Sequence, residues 1–200
     1  MEDQSLSLSI LELVPAACCC LLLTIATRLR GSVSAIILPT LLLFFHPFIG
    51  IDISESALKV ALKNATKNNL CSRTGFVIGD FGTTFSKDVF GKPIDVLLSN
   101  PPYIGSFEME ELSPSVKDFE PSLALFGGND GLHCYRQIAL RVQEMLENEI
   151  MNHQTKVILE VGYQQSDSVS DIFMATGVVS DCKIHKDLSG VNRCVQVNLK

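Results

Sequence analysis

The sequence predicts a doubly wound α/β fold, with a mostly parallel sheet that ends in an antiparallel edge hairpin. Three observations support this. From residue 48 onward, short apolar runs alternate with amphipathic stretches, as in repeated βαβ units. The amphipathic stretches are long enough to serve as crossovers between parallel strands. The last two apolar runs have no long helix between them, which suggests an antiparallel hairpin at the sheet edge.

The strands are expected at residues 48–51, 75–78, 94–98, 156–161, 178–185 and 194–199. Between the first two, residues 56–68 carry Ala57, Leu58, Ala61, Leu62 and Ala65 at helical spacing. Residues 130–149 repeat that pattern with Leu132, Ile138, Ala139, Val142 and Leu146, and a third helix is expected over residues 165–176.

Composition changes sharply near residue 49. Residues 14–48 are almost entirely apolar apart from Arg28 and Arg30. The stretch from Gly31 to Gly50 has the length of a membrane span, about 20 residues. Pro39, His46 and Pro47 disfavour one continuous helix there, so a span is possible but not favoured. The chain divides into an atypical hydrophobic segment, 1–48, and a principal domain, 49–200.

The net charge of −6, with 46% hydrophobic and 19% charged residues, describes a globular chain without the basic surface of a dedicated nucleic-acid binder. No direct nucleic-acid partner is expected. Seven cysteines, with no Cys-x-x-Cys pair and no histidine at ligand spacing, argue against a metal site and for a reducing compartment. The start carries Glu2 and Asp3 and no early Lys or Arg, unlike a secretory leader or an Arg-rich transit peptide. Cytoplasm and mitochondrion both stay open.

The chemistry concentrates in Ile94-Asp-Val-Leu-Leu-Ser-Asn-Pro-Pro-Tyr103, an apolar strand running into a stiff turn. Ligands of open α/β sheets sit beyond the carboxyl ends of strands. Pro101 and Pro102 fix their own φ angles and lack an N–H, so this backbone offers carbonyl acceptors without the usual donors. Such an array suits a planar NH2 whose nitrogen is a poor nucleophile. The Asn100 side-chain oxygen and the Pro101 carbonyl are placed to accept its two N–H groups, while Tyr103 walls the pocket. Orientation then supplies most of the catalysis.

Two further strands end in carboxylates. Asp52 closes Ile49-Gly-Ile-Asp52, where an acidic residue can accept from ribose hydroxyls; helix capping is the alternative, with Ser54 as a rival cap. Asp80 and Phe81 follow the next strand, a polar and aromatic pair suited to a purine.

Beyond the turn, Phe119-Glu-Pro-Ser-Leu-Ala-Leu-Phe-Gly-Gly-Asn-Asp-Gly-Leu132 with Tyr135-Arg136, then Leu159-Glu-Val-Gly-Tyr-Gln-Gln165, then Lys186-Asp-Leu-Ser-Gly190 with Arg193, resembles one family throughout. These are the HemK-like glutamine methyltransferases. The resemblance covers residues 50–200 and implies the Rossmann-like class I methyltransferase fold. It also implies S-adenosyl-L-methionine as cofactor and the glutamine of the GGQ loop of a class 1 peptide chain release factor as substrate. On this resemblance Asn100 and Pro101 bind the target amide within the catalytic set Asn100, Pro101, Pro102 and Tyr103. Asp52, Asp80, Phe81 and Asn100 hold the cofactor, and Glu120 and Glu160 are read as structural.

The Asn-Pro-Pro-Tyr turn is shared with methyltransferases acting on adenine N6 or guanine N2 of nucleic acids, which remain an alternative, as does an inactive, membrane-tethered remnant. One family feature is missing. Ser9-Ile-Leu-Glu-Leu13 resembles the family's first strand, with Glu12 in the acidic position, but no glycine follows until Gly31. Close backbone approach to a cofactor is obstructed without glycine, so cofactor binding is expected to be impaired. The family's N-terminal helical domain has no counterpart here. Residues 14 to about 46 read as an aberrant replacement from altered splicing or a shifted reading frame.

Overall fold

Around a seven-stranded sheet, the computed structural model describes residues 20–23, 48–80, 93–117 and 120–200. The strands are β1 (Cys20–Leu23), β2 (Phe48–Asp52), β3 (Thr74–Ile78), β4 (Ile94–Ser99), β5 (Met151–Glu160), β6 (Val179–Lys186) and β7 (Asn192–Leu199). Their spatial order is β3-β2-β1-β4-β5-β7-β6. Pairing is parallel from β3 through β5, whereas β7 runs antiparallel to both β5 and β6. This is the expected doubly wound sheet with its antiparallel edge.

β4 shows why the pattern is legible. Its residues Ile94, Val96, Leu97 and Leu98 are all buried, because a central parallel strand is covered on both faces and so reads as a continuous apolar run. The amphipathic stretches become α1 (Glu55–Lys67), α5 (His133–Glu147) and α6 (Ser166–Met174). From α5, Tyr135, Ile138 and Val142 pack with Leu97, Val157 and Leu159 of the sheet, and Val169 and Phe173 of α6 extend that core towards Val195 and Val197. The described residues between β4 and α5 include three short helices, α2 (Ser106–Glu111), α3 (Pro114–Lys117) and α4 (Ser122–Leu125). They escaped the sequence reading because none exceeds two turns, too short for an apolar period to declare itself.

Most element ends shift by one to three residues from expectation, and two differences are larger. β5 begins at Met151 rather than residue 156. Residues 152–154 are exposed, so the apolar signal starts late, although the backbone is already extended. Its entry is fixed by Thr155, whose buried hydroxyl donates to the Ile94 carbonyl at 2.6 Å. The position between β2 and β4 is taken by Cys20–Leu23, not by residues 9–13, which lie outside the described residues. A strand flanked on both sides suits four consecutive apolar residues better than a run interrupted by Glu12. Most of the apolar 14–48 stretch is likewise outside the described residues. Among those described, no helix is long and apolar enough to cross a membrane.

Candidate active site at the carboxyl edge of the sheet

The strand order reverses at β1, so the crevice of the sheet opens where β1 and its neighbours end. Register fixes what stands there. Leu23 pairs with Ile51 on one side, and Leu22 pairs with Leu98 on the other. Asp52 lies one residue beyond Ile51 and Asn100 two beyond Leu98, so they flank the end of β1, two strand spacings or about 10 Å apart.

Asp52 is 2% exposed, and its Oδ1 accepts the Ser54 N–H at 2.7 Å. Ser54 takes the helix cap instead: its hydroxyl accepts the Ala57 N–H at 3.2 Å with extended φ and ψ. The two candidate roles are thereby divided between two residues. The Asp52 carbonyl also accepts the Gly79 N–H at 3.1 Å, which draws the end of β3 and the exposed Asp80 alongside. Phe81 lies outside the described residues.

Pro101 and Pro102 are buried, while Asn100 and Tyr103 are half-buried at the crevice. The turn is held from outside by the glycine-rich segment that follows α4. The Ile104 N–H donates to the Leu125 carbonyl at 2.9 Å, and the Gly127 N–H returns a bond to the Ile104 carbonyl at 2.9 Å. Close approach requires missing side chains. A Cβ at Gly127 would lie 2.6 Å from the Pro102 oxygen, and one at Gly131, where φ is +71°, would lie 2.4 Å from the Tyr103 oxygen.

Asp130 shapes that segment by accepting the Leu132 N–H and pairing with Arg136 at 2.5 Å. The Arg136 guanidinium, aided by the Leu132 amide, lowers its carboxyl pKa to about 2. From the other side, Gln165 Nε2 donates to the Tyr103 carbonyl at 2.9 Å, while its Oε1 accepts the Gly162 N–H at 3.1 Å. Reading the sequence alone gave Gln165, Gly127 and Gly131 no role. Their only signal was glycine density near the turn, which does not say what the glycines approach. The buried Tyr135 hydroxyl donates to the Glu160 carbonyl at 2.9 Å, anchoring the end of β5. In the β6–β7 turn, Asp187 accepts the Ser189 and Val191 N–H groups and faces Arg193 at 3.5 Å. The recognisable Asp187 and Arg193 therefore act within a hairpin.

No protein-family model matches the chain. Among curated relatives, a release factor glutamine methyltransferase of Caulobacter vibrioides is 38% identical over 147 residues, 74% of this chain and 47% of the relative. The chain is a homologue of the release factor glutamine methyltransferases. A bifunctional methyltransferase of Rickettsia bellii is also 38% identical, over 148 residues that make up 74% of this chain and 25% of the relative. This homologue thus spans about half the length, or less, of the curated relatives it matches. Among solved structures, TrmN from Thermus thermophilus superposes with a TM-score of 0.60 at 15% identity, covering 98% of this chain and 48% of the other. That likeness establishes the class I methyltransferase fold for the homologue and nothing finer.

Proposed function

We propose that this chain transfers a methyl group from S-adenosylmethionine to the side-chain amide nitrogen of a glutamine, that of the GGQ motif in a class 1 peptide chain release factor. The observation that carries the reading is the placement of Asp52 and the Asn100–Tyr103 turn on either side of the end of β1. The residues fit the cofactor: a buried carboxylate at the end of β2 is the group that accepts from a ribose diol, and Asp80 stands next to it for the base. When bound, the cofactor supplies an electrophilic methyl group on a sulfonium.

The remaining chemistry belongs to the chain. Asn100 Oδ1 and the Pro101 carbonyl accept the two N–H groups of the glutamine amide and fix the nitrogen in the crevice. Acceptors aimed there stabilise the positive charge that grows on nitrogen as its bond to carbon forms, and the surplus proton leaves to solvent afterwards. Tyr103 bounds the substrate side chain. In this reading residues 49–200 carry the catalytic groups, and Cys20–Leu23 contribute the central strand. The seven residues after Leu23, Thr24 to Arg30, contain no glycine, which supports weak cofactor binding.

The test is Asn100→Ala. Transfer to a GGQ-containing release factor is expected to fall by roughly 10²-fold or more, the scale of losing one positioned polar group. Cofactor affinity, measured by calorimetry, should stay within about twofold. A variant that keeps most of its turnover removes Asn100 from the reaction.

A further inference from the structure

A turn with two consecutive prolines cannot organise itself through its own amides, because neither proline donates. The direction of its carbonyls is set by whatever donates to it. Gln165 does so from the loop between β5 and α6. Its carboxamide is used at both ends, Oε1 accepting from Gly162 N–H at 3.1 Å and Nε2 donating to the Tyr103 carbonyl at 2.9 Å. An amide engaged this way has one orientation only, since rotation by half a turn would break both bonds.

Three features hold Gln165 in place. Its own carbonyl accepts the Val169 N–H at 2.9 Å, tying it to the first turn of α6. Gln164, immediately before it, adopts φ +60°, a left-handed conformation that is unfavourable for a non-glycine residue. Gly131 leaves the space the bond needs, because a Cβ there would lie 2.6 Å from Gln165 Nε2 and 2.4 Å from the Tyr103 oxygen. Local strain retained beside a fixed side chain is the pattern of a site under geometric demand.

We infer that Gln165 is a positioning residue: its amide bridge from Gly162 to Tyr103 sets the angle at which the Asn100–Tyr103 turn presents its acceptors to the substrate amide. The assignment of substrate rests on the proposed function; the bridge does not. Gln165 touches neither cofactor nor reacting atoms in this account, so its loss should act on kcat rather than on cofactor binding.

The full-length chain is compared with Gln165→Glu and Gln165→Met. Glu keeps an acceptor for the Gly162 amide but turns an oxygen towards the Tyr103 carbonyl, and Met keeps the length without either bond. Both are expected to lower kcat on a GGQ peptide by about tenfold or more, with cofactor affinity and thermal midpoint little changed. Amide exchange at Ile104 and Gly105 should quicken by about tenfold in Gln165→Met. Unchanged kcat in the folded variants, or a loss matched by a fall in folded protein, overturns the positioning role. If the unaltered chain fails to methylate the peptide although it binds cofactor, the functional reading falls, and amide exchange then decides the bridge: faster exchange upholds it and unchanged exchange overturns it.

Discussion

Tyr135 and Glu160 are joined by a hydrogen bond of 2.9 Å, from the tyrosine hydroxyl on α5 to the backbone carbonyl at the last residue of β5. Tyr135 is 0% exposed, so the ring packs the core beneath the sheet while its hydroxyl pins the edge from which Gly162 and Gln165 project. Tyr135→Phe keeps the packing and removes that donor. The expected loss is about 0.5–1.5 kcal/mol, the net worth of one hydrogen bond, read from the urea midpoint. An unchanged midpoint would mean that another donor reaches Glu160.

Alkaline pH should destabilise the fold through its buried thiols. Burial raises the Cys194 pKa to about 12 and that of Cys134 to about 11, from an ordinary value of 9.0. Burial also lifts Tyr135 well above 10.0. Each folded-state value exceeds its unfolded one, so the contribution is fully present below pH 9 and is lost as pH rises towards 11 and 12. Each thiol removes up to about 1.4 kcal/mol per pH unit within its window. Urea midpoints at pH 7.5 and 10.5 check this, and Cys194→Ala should flatten the difference. A midpoint that does not move with pH refutes the assignment.

Two glycines with similar backbones separate strain from crowding. Gly177 has φ +78° with nothing within 4 Å of a would-be Cβ, whereas Gly131 has φ +71° and faces the Tyr103 oxygen at 2.4 Å. Gly177→Ala should cost only the conformational penalty, about 1 kcal/mol. Gly131→Ala should cost more and also slow methyl transfer, since either Gln165 or the Tyr103 carbonyl must move. Equal costs in chemical denaturation would contradict the close approach.

Asp52 and Ser54 are neighbours with separable duties. Ser54→Ala should cost about 1 kcal/mol of stability through the lost helix cap and leave cofactor affinity alone. Asp52→Ala should weaken S-adenosylmethionine binding by about 1.5–3 kcal/mol, the range for a hydrogen bond to a charged group. Calorimetry on both variants decides the matter, and undiminished affinity in Asp52→Ala withdraws the ribose role.

The sequence by itself determined the sheet beyond residue 48, because a covered parallel strand must be apolar throughout and its crossover helix must be apolar on one face. β4 and α5 could hardly be read otherwise. It also located the Asn100–Tyr103 turn, whose stiffness and lack of donors are covalent properties of proline. Where contrast is absent, the reading fails. In the apolar stretch from residue 14 to 48 no four residues stand out, and only pairing with β2 and β4 selected Cys20–Leu23 as the central strand. The tertiary structure alone decided what holds the turn. Gln165 reaches the Tyr103 carbonyl across 62 residues of chain, and beyond its positive φ Gly131 matters because that bond passes beside it. A hydrogen bond is specified by where two groups meet in space, and neither partner's local sequence encodes the other.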